Sequence, residues 1–164
     1  MLSVCRNLML FAVLSLVAST GFAQVPEAYQ AVGTWKLNVS KSTGTSNQLK
    51  SRSRIHTVEN RGGGVMVNKI EQINADGSKQ VTYFTTKADG TDYPMISIGS
   101  DGTTNVGTMA ETRVDAYTIR WVIKNADGKD TAPDVKRLRT VSKDGKTFTL
   151  SGGANGNTTV YERQ

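Results

Sequence analysis

The stretch NADGSKQVTYFTTKADGTDYPMISIGSDG, residues 74–102, alternates turn signals with short strand-like runs. Asp-Gly is a strong hairpin signal, and three such pairs occur here, at 76–77, 89–90 and 101–102. The runs between them are rich in Val, Thr, Tyr and Ile, which favour strands. The spacing of 12 to 13 residues leaves room for one strand and one tight turn, but not for a long crossover. The stretch therefore predicts neighbouring antiparallel strands.

The same punctuation extends over most of the chain. Asp-Gly pairs recur at 127–128 and 144–145, and glycine clusters stand near 62–64 and 152–156. We predict strands near 32–39, 53–59, 65–73, 79–87, 92–98, 103–112, 117–124, 135–142, 146–151 and 157–162. An open meander of this kind would leave two exposed edges, which closure of the sheet removes. The sequence thus predicts an all-β fold, an up-and-down antiparallel meander closed into a barrel of eight to ten strands.

The first 23 residues have the pattern of a secretory signal peptide. Arg6 precedes an apolar run from Leu8 to Ala18, and small residues follow up to Ala23. The apolar run is shorter than the roughly 20 residues that a membrane span needs, so we expect no stable membrane anchor. We therefore predict a signal peptide over 1–23, a single β-barrel domain over 24–164, and a secreted or periplasmic location. The only cysteine, Cys5, lies in the leader, so the exported chain would contain no disulfide.

The charge of the predicted mature chain is modest and scattered. Removing Arg6 from the 20 basic residues leaves 19 against 14 acids, a net charge of +5. Two small basic clusters occur, at 50–54 and 136–139, and neither has the interleaved aromatic residues typical of nucleic-acid binding. We therefore expect no nucleic-acid partner. We also expect the protein to be a monomer.

Short motifs at both ends of the mature chain resemble those of a known family. Gly33-Thr34-Trp35-Lys36-Leu37-Asn38 contains the Gly-x-Trp that marks the first strand of the lipocalin and wider calycin families. The resemblance is closer to exported bacterial lipocalin-like proteins that open with this hexapeptide and a Lys-Ser pair, matched by Lys41-Ser42. Those proteins also carry Val-Ser-Lys-Asp-Gly-Lys-Thr, matched by 141–147, and end in Val-Tyr-Glu-Arg or Val-Tyr-Glu-Lys, matched by 160–163.

This resemblance implies a structural role for one tryptophan. In lipocalins the tryptophan of the first strand packs against a late arginine and closes the base of the barrel. Here it implies that Trp35 and Arg163 form that closure through a cation–π contact. Fatty-acid-binding barrels hold a ligand carboxylate with an arginine and a tyrosine two residues apart, and Tyr161 with Arg163 is a similar pair in reversed order.

Alternation along the strands predicts which side chains face inward. Tyr117, Ile119, Trp121 and Ile123 share one face, as do Trp35, Leu37 and Val39, and as do Phe148 and Leu150. Two interpretations remain open: a filled core, or a cavity for a small amphipathic ligand. For the cavity, the candidate ligand-binding residues are Tyr83, Tyr117, Trp121, Arg139 and Tyr161. Arg137 and Arg139 share one face, either inside, where an arginine would need a partner, or on the outer wall.

The sequence offers little for catalysis. His56 is the only histidine, so a two-histidine metal site cannot form within one chain, and the Asp-Gly turns lack the spacing of a calcium loop. No nucleophile elbow, phosphate loop or dinucleotide fingerprint occurs. We therefore expect no enzyme activity, no metal and no cofactor. The favoured hypothesis is an exported lipocalin-like binding protein that holds a small hydrophobic or amphipathic ligand. The alternative is a structural or interaction protein of the cell envelope with a filled barrel.

Overall fold

The fold is a closed barrel of ten antiparallel strands. The computed structural model describes residues 30–45, 47–133, 135–152 and 156–164. The strands are β1 (Gly33–Thr43), β2 (Ser53–Asn60), β3 (Met66–Ile73), β4 (Lys79–Thr86), β5 (Asp89–Gly99), β6 (Thr104–Arg113), β7 (Thr118–Asn125), β8 (Arg137–Val141), β9 (Thr147–Ser151) and β10 (Thr158–Arg163). Each strand pairs with its neighbours in sequence, and β1 also pairs with β10. The predicted up-and-down closed barrel is confirmed.

A short 3-10 helix, Asn47–Lys50, connects β1 to β2. The predicted signal peptide, 1–23, lies outside the described residues. Within the described ranges, no helix combines the length and the apolar character that a membrane span would require.

The turns owe their regularity to aspartate side chains. In six of them the aspartate Oδ1 accepts a hydrogen bond of 2.8–3.1 Å from the backbone N–H two residues later, at Asp76, Asp89, Asp101, Asp115, Asp127 and Asp144. In five of the six, the next residue is a glycine whose φ lies between 67° and 90°. Most residues avoid that region, whereas glycine enters it freely. The Asp-Gly pairs therefore form local turns that reverse or bend the chain.

One Asp-Gly pair does not separate two strands. Asp89-Gly90 lies at the start of β5, and the register of β5 against β6 shifts between Asp89 and Asp92. The turn itself falls just before it, at 87–88. This pair therefore forms an irregularity within a strand, which is why β5 begins three residues earlier than the sequence predicts.

The barrel has two unlike ends. We call "base" the end that holds Gly33 and the connections β2–β3, β4–β5, β6–β7 and β8–β9, and "mouth" the opposite end. Buried apolar side chains gather at the base: Ala31, Trp35, Val58, Met66, Ile119, Val141, Phe148 and Tyr161. Val39, predicted to point inward, is instead 48% exposed. The reason is a register shift of β1 against β10 between Asn38 and Thr43, which takes β1 out of regular pairing near the mouth.

Candidate functional site

Trp35 lies at the centre of the base. It is completely buried, and its indole N–H donates a 2.7 Å hydrogen bond to the Ala31 carbonyl. The Arg163 guanidinium carbon lies 4.3 Å from the centroid of its ring, so the contact that the family resemblance implies is present. A Cβ at Gly33, where φ is +140°, would stand 2.5 Å from Arg163 Nη1. Glycine in the Gly-x-Trp motif is therefore explained by the room that the stacked guanidinium needs.

Arg163 also ties separate parts of the base together. Its Nε donates to the Gly145 carbonyl at 2.7 Å, its Nη1 to Val32 at 2.9 Å and its Nη2 to Gln30 at 3.2 Å. These carbonyls belong to the β8–β9 turn and to the segment that enters β1. One side chain thus links the two ends of the described chain beneath Trp35.

An aromatic layer lies above Trp35. Phe148 meets the Trp35 ring edge-on, with 5.4 Å between centroids, and stacks on Tyr161 at 4.7 Å. His56 joins the layer at 5.3 Å from Phe148. Such ring pairs are favourable at these distances. The base is therefore filled, as the first of the two sequence interpretations describes.

A buried ion pair lies next to this layer and joins β6 to β8 across the inner face of β7. Arg139 is 3% exposed and Glu111 is 1% exposed, and Arg139 Nη2 donates to Glu111 Oε1. The other carboxylate oxygen accepts a 2.8 Å hydrogen bond from the Thr86 hydroxyl. Arg139 therefore points into the barrel and does not lie on the outer wall. Its charge is compensated by a carboxylate that the sequence analysis did not single out.

His56 is buried and neutral. Its Nε2 donates to Asn68 Oδ1 at 3.0 Å, since the amide oxygen can only accept. Burial, followed by the positive charge of Arg139, lowers the pKa of His56 to about 3. Within the described part of the chain, His56 Nδ1 has no hydrogen-bond partner. The imidazole therefore keeps one buried nitrogen without a hydrogen bond.

A cavity of about 330 Å³ lies between this layer and the mouth. Polar side chains concentrate on the wall formed by β2, β3 and β4, where the lining includes Arg54, His56, Gln72, Gln80 and Thr82. The wall formed by β5, β6, β7 and β9 contributes mainly apolar groups: Met95, Met109, Trp121, Ile123 and Leu150. Small-molecule sites typically measure roughly 300–1,000 Å³ and combine apolar walls with a few polar groups. The lining is therefore amphipathic.

Among the charged side chains that line the cavity, Arg54 is the nearest to the mouth. Its Nε donates to the Tyr161 hydroxyl at 2.8 Å, and its Nη1 donates to Gln72 Oε1. Among the described residues, no carboxylate lies within 4 Å of its guanidinium, and its Nη2 has no hydrogen-bond partner. Burial raises the pKa of Tyr161 above its ordinary value, against the smaller opposite effect of Arg54, so the phenol stays protonated. Arg54 therefore has only neutral partners.

Trp121 occupies the opposite wall of the cavity. The Arg137 guanidinium carbon lies 5.2 Å from its ring centroid, and Arg137 pairs with Asp130 at 3.3 Å. The Trp121 Nε1 is buried and has no hydrogen-bond acceptor within the described residues. Like His56 Nδ1, this indole N–H belongs to a cavity-lining side chain and is left unsatisfied.

The five predicted ligand-binding residues are not all brought together. Trp121 and Arg139 line the cavity, and Tyr161 lies beside it through its contact with Arg54. Tyr83 does not line the cavity: it lies on the outer wall, 43% exposed, between the inward-facing Thr82 and Phe84. Tyr117 precedes β7 in the turn at the base, where its amide N–H bonds to Asp115.

The prediction was wrong for Tyr83 and Tyr117, and each difference has a physical reason. On β4 the two faces are about equally apolar in sequence, so alternation cannot choose between Tyr83 and Phe84. At Tyr117 the alternation extends one residue beyond the strand, because Asp115 Oδ1 binds the amides of Tyr117 and Thr118 and ends the turn there. Phe84, which is 4% exposed, takes the inward position that we predicted for Tyr83.

Three residues of the site were missed in the sequence: Arg54, Glu111 and Gln72. They lie on three different strands, and no motif joins them. Arg54 and the only histidine do stand two residues apart on β2, so they share one face. That spacing was the available signal, but apolar Ile55 between them favours the opposite assignment.

Comparison with known proteins adds no assignment. No family model matches the sequence, and no curated protein matches it. In the described part of the chain, no three His, Cys, Asp or Glu side chains form a group that could hold a metal ion.

Proposed function

We propose that this protein is an exported, lipocalin-like binding protein that holds a small amphipathic molecule in its barrel. The observation that carries the proposal is the amphipathic cavity of about 330 Å³, whose lining combines apolar side chains with a few polar ones. Sites for small molecules typically have this composition.

The proposal also covers the location of the protein and the absence of catalysis. The leader over 1–23 supports export, and the chain that remains carries no cysteine. His56 in the cavity lining and Tyr161 beside the cavity are both held in their neutral forms by burial, which shifts their pKa values; neutral groups suit recognition of a ligand more than proton transfer. We propose binding without catalysis, metal or cofactor, by a monomer.

Binding of the uncharged dye Nile red tests this proposal. We expect fluorescence enhancement with saturable, one-to-one binding to the wild-type protein. Met95→Trp replaces a cavity-lining side chain with a bulkier indole ring and should abolish most of this binding. Ile96→Trp is the matched control, because the next residue on β5 is 37% exposed on the outer wall and should leave binding unchanged. Equal binding by wild type and Met95→Trp would contradict the proposed site.

The natural ligand requires a second measurement. Native mass spectrometry and solvent extraction of protein purified from its own compartment should show one reproducible small molecule. Its mass should disappear in Met95→Trp and persist in Ile96→Trp. An empty barrel that also fails to bind Nile red would count against a carrier function.

One surface feature favours the alternative function, contact with another envelope component. Tyr83 pairs with Ile96 across β4 and β5, and Ile96 pairs with Val106 across β5 and β6, so three exposed apolar side chains form a row on the outer wall. Contiguous exposed apolar groups often mark interaction surfaces. Retention of the wild type in the envelope fraction, lost in Ile96→Lys, together with an empty cavity, would favour this alternative.

A further inference from the structure

Two turns at the mouth have the same local structure. Asp76-Gly77-Ser78 lies between β3 and β4, and Asp101-Gly102-Thr103 lies between β5 and β6. In each turn the aspartate accepts a hydrogen bond from the backbone amide two residues later, at 2.8 Å for Ser78 and 2.9 Å for Thr103. The hydroxyl of the same residue also donates to the aspartate, at 2.7 Å and 2.8 Å respectively. Among the described residues, the Thr103 hydroxyl makes no further side-chain hydrogen bond.

The first turn, in contrast, is joined to the cavity by a chain of side chains. The Ser78 hydroxyl accepts a 2.9 Å hydrogen bond from Asn74 Nδ2, and Asn74 Oδ1 accepts from Gln72 Nε2. Gln72 Oε1 then accepts from Arg54 Nη1. Gln72 and Arg54 line the cavity, and Arg54 Nε donates to the Tyr161 hydroxyl at 2.8 Å. We call this series of hydrogen bonds the relay.

The direction of the relay is fixed at both of its ends. A guanidinium can only donate and a carboxylate can only accept. Because Arg54 donates to Gln72, the amide turns its oxygen to Arg54 and its nitrogen to Asn74. At the other end, the Ser78 hydroxyl donates its hydrogen to Asp76, so its oxygen is left to accept from Asn74. Reversal of either amide would therefore place two donors face to face.

The anchor of the relay is a solvent-exposed anion. Hydrogen bonds from the Ser78 hydroxyl and then from the Ser78 amide lower the pKa of Asp76, so the group is a carboxylate at neutral pH. Gln72, two links away from Ser78, is only 8% exposed. An exposed carboxylate at the mouth thus orients buried groups of the cavity wall.

We propose that the Ser78 hydroxyl, anchored on Asp76, positions Arg54 in the cavity wall. This inference rests on the proposed binding function and adds a control element that lies outside the cavity. Groups that are held in place before binding lose less order when a ligand binds. Two of the five N–H donors of Arg54 are used within the described structure, and the Gln72 oxygen is turned to Arg54. The relay should therefore favour a ligand that carries a hydrogen-bond acceptor over an apolar molecule of the same shape.

Nitrogen-15 NMR of the Arg54 side chain tests the positioning. In the wild type we expect its Nε–H to give a separate signal that exchanges slowly with water, since it bonds to the buried Tyr161; loss of the signal in Arg54→Lys assigns it. Ser78→Ala keeps the backbone hydrogen bonds of the turn and should speed this exchange by at least about tenfold. Ser78→Thr keeps the hydroxyl and should retain the slow exchange. Thr103→Ala is the matched control, because it removes the same hydroxyl from the equivalent turn and should change the exchange by no more than about twofold.

Competition against bound Nile red tests the consequence for binding. Decan-2-one and 2-methyldec-1-ene have the same shape, but only the ketone accepts a hydrogen bond. We expect the wild type to bind the ketone about threefold to tenfold more tightly, the range for one net hydrogen bond. Ser78→Ala should reduce this ratio to less than about twofold, whereas Ser78→Thr and Thr103→Ala should keep it.

The outcomes separate this inference from the proposed function. Unchanged exchange at Arg54 in Ser78→Ala, an unchanged ketone preference in that variant, or equal wild-type affinity for the two competitors would overturn the relay and leave the barrel a binding site. Equal effects of Ser78→Ala and Thr103→Ala would also overturn it, because the effect would then belong to both turns. Failure of Nile red and both competitors to bind would overturn the binding function itself.

A second variant guards against loss of the fold. Circular dichroism checks that Ser78→Ala folds. Asp76→Asn replaces the anchor by an amide that can donate as well as accept, so it should also speed the exchange of the Arg54 Nε–H. Rapid exchange of this group in the wild type would overturn the inference without any variant.

Discussion

The base and the cavity of this barrel are built from opposite kinds of side chain. At the base, Trp35 and Phe148 are completely buried and fill the interior with rings. Toward the mouth, Arg54, Gln72 and Trp121 surround open volume, and some of their polar neighbours remain unsatisfied. Well-packed interiors stabilise a fold, whereas open polar sites reduce stability and serve recognition. The contrast separates a well-packed layer from the layer that we propose to bind a ligand, so variants in the two layers should affect stability and binding separately.

The largest expected effect is at the base. Trp35→Ala removes a fully buried ring, its hydrogen bond to Ala31 and its stacking with Arg163, and should lower the free energy of unfolding by about 3–5 kcal/mol. Urea unfolding followed by circular dichroism measures this change. Nile red affinity of the folded variant should stay within about threefold of wild type. An unchanged melting temperature would disprove the idea that Trp35 closes the base.

A slightly smaller effect is expected where the two layers meet. Glu111→Gln removes the carboxylate that pairs with the buried Arg139 and should cost about 3 kcal/mol, the lower end for a broken buried pair, since glutamine still accepts from Thr86. Glu71→Gln is the control, because the Lys69–Glu71 pair is exposed to solvent and should contribute far less to stability than a buried pair. Similar losses for the two variants would show that burial of the pair does not matter.

The third prediction concerns pH. The folded-state pKa of His56 is about 3, below its ordinary value of 6.5, so between these limits the unfolded chain binds one more proton than the folded chain. The free energy of unfolding should therefore fall as pH is lowered through that window, by about 1.4 kcal/mol per pH unit. In His56→Gln this contribution should vanish.

The useful window for this measurement is about pH 5–6.5, above the titration of the turn aspartates. The pKa of Asp101, for example, is lowered by the hydrogen bond from the Thr103 amide, so its carboxyl titrates well below this range. Urea unfolding of both proteins at three pH values gives the slopes. Parallel slopes would mean that His56 is not held neutral beside the cavity.

The smallest effect is expected at the rim of the base. Arg163→Met keeps an apolar chain but loses the guanidinium over Trp35, and should lower the free energy of unfolding by about 0.5–2 kcal/mol. Thermal unfolding measures the loss, and ligand binding should be unaffected. A loss of Nile red binding as large as that expected for Met95→Trp would place the ligand at the base, and would break the division between the two layers.

Much of the fold was predictable because its signals are local. Each Asp-Gly turn depends on an aspartate oxygen, an amide two residues later and a glycine that adopts positive φ, all within four residues. Seven of the ten predicted strands, including those at 53–59 and 79–87, differ from the observed ones by one residue at most at either end. The larger differences are at β1, β5 and β8, where register shifts or adjoining loops decide where pairing begins and ends.

The site was less predictable because its residues come together only when the sheet closes. The family resemblance supplied the contact of Trp35 with Arg163, from motifs at opposite ends of the mature chain. Alternation placed Trp121 inward but could not choose a face on β4. Nothing local indicates that Glu111 is the partner of Arg139, since the two lie on strands separated by β7.

The sequence by itself determined the all-β class and the up-and-down order of the strands, because turn geometry and strand propensity act over a few residues. The tertiary structure alone decided which charges are paired and which polar atoms stay open. Pairing depends on register and on contacts across the barrel interior. There the low dielectric strengthens paired groups and makes unpaired polar groups costly. Arg54 shows the difference: its position on a strand can be read from the chain, but its lack of a carboxylate partner appears only after closure.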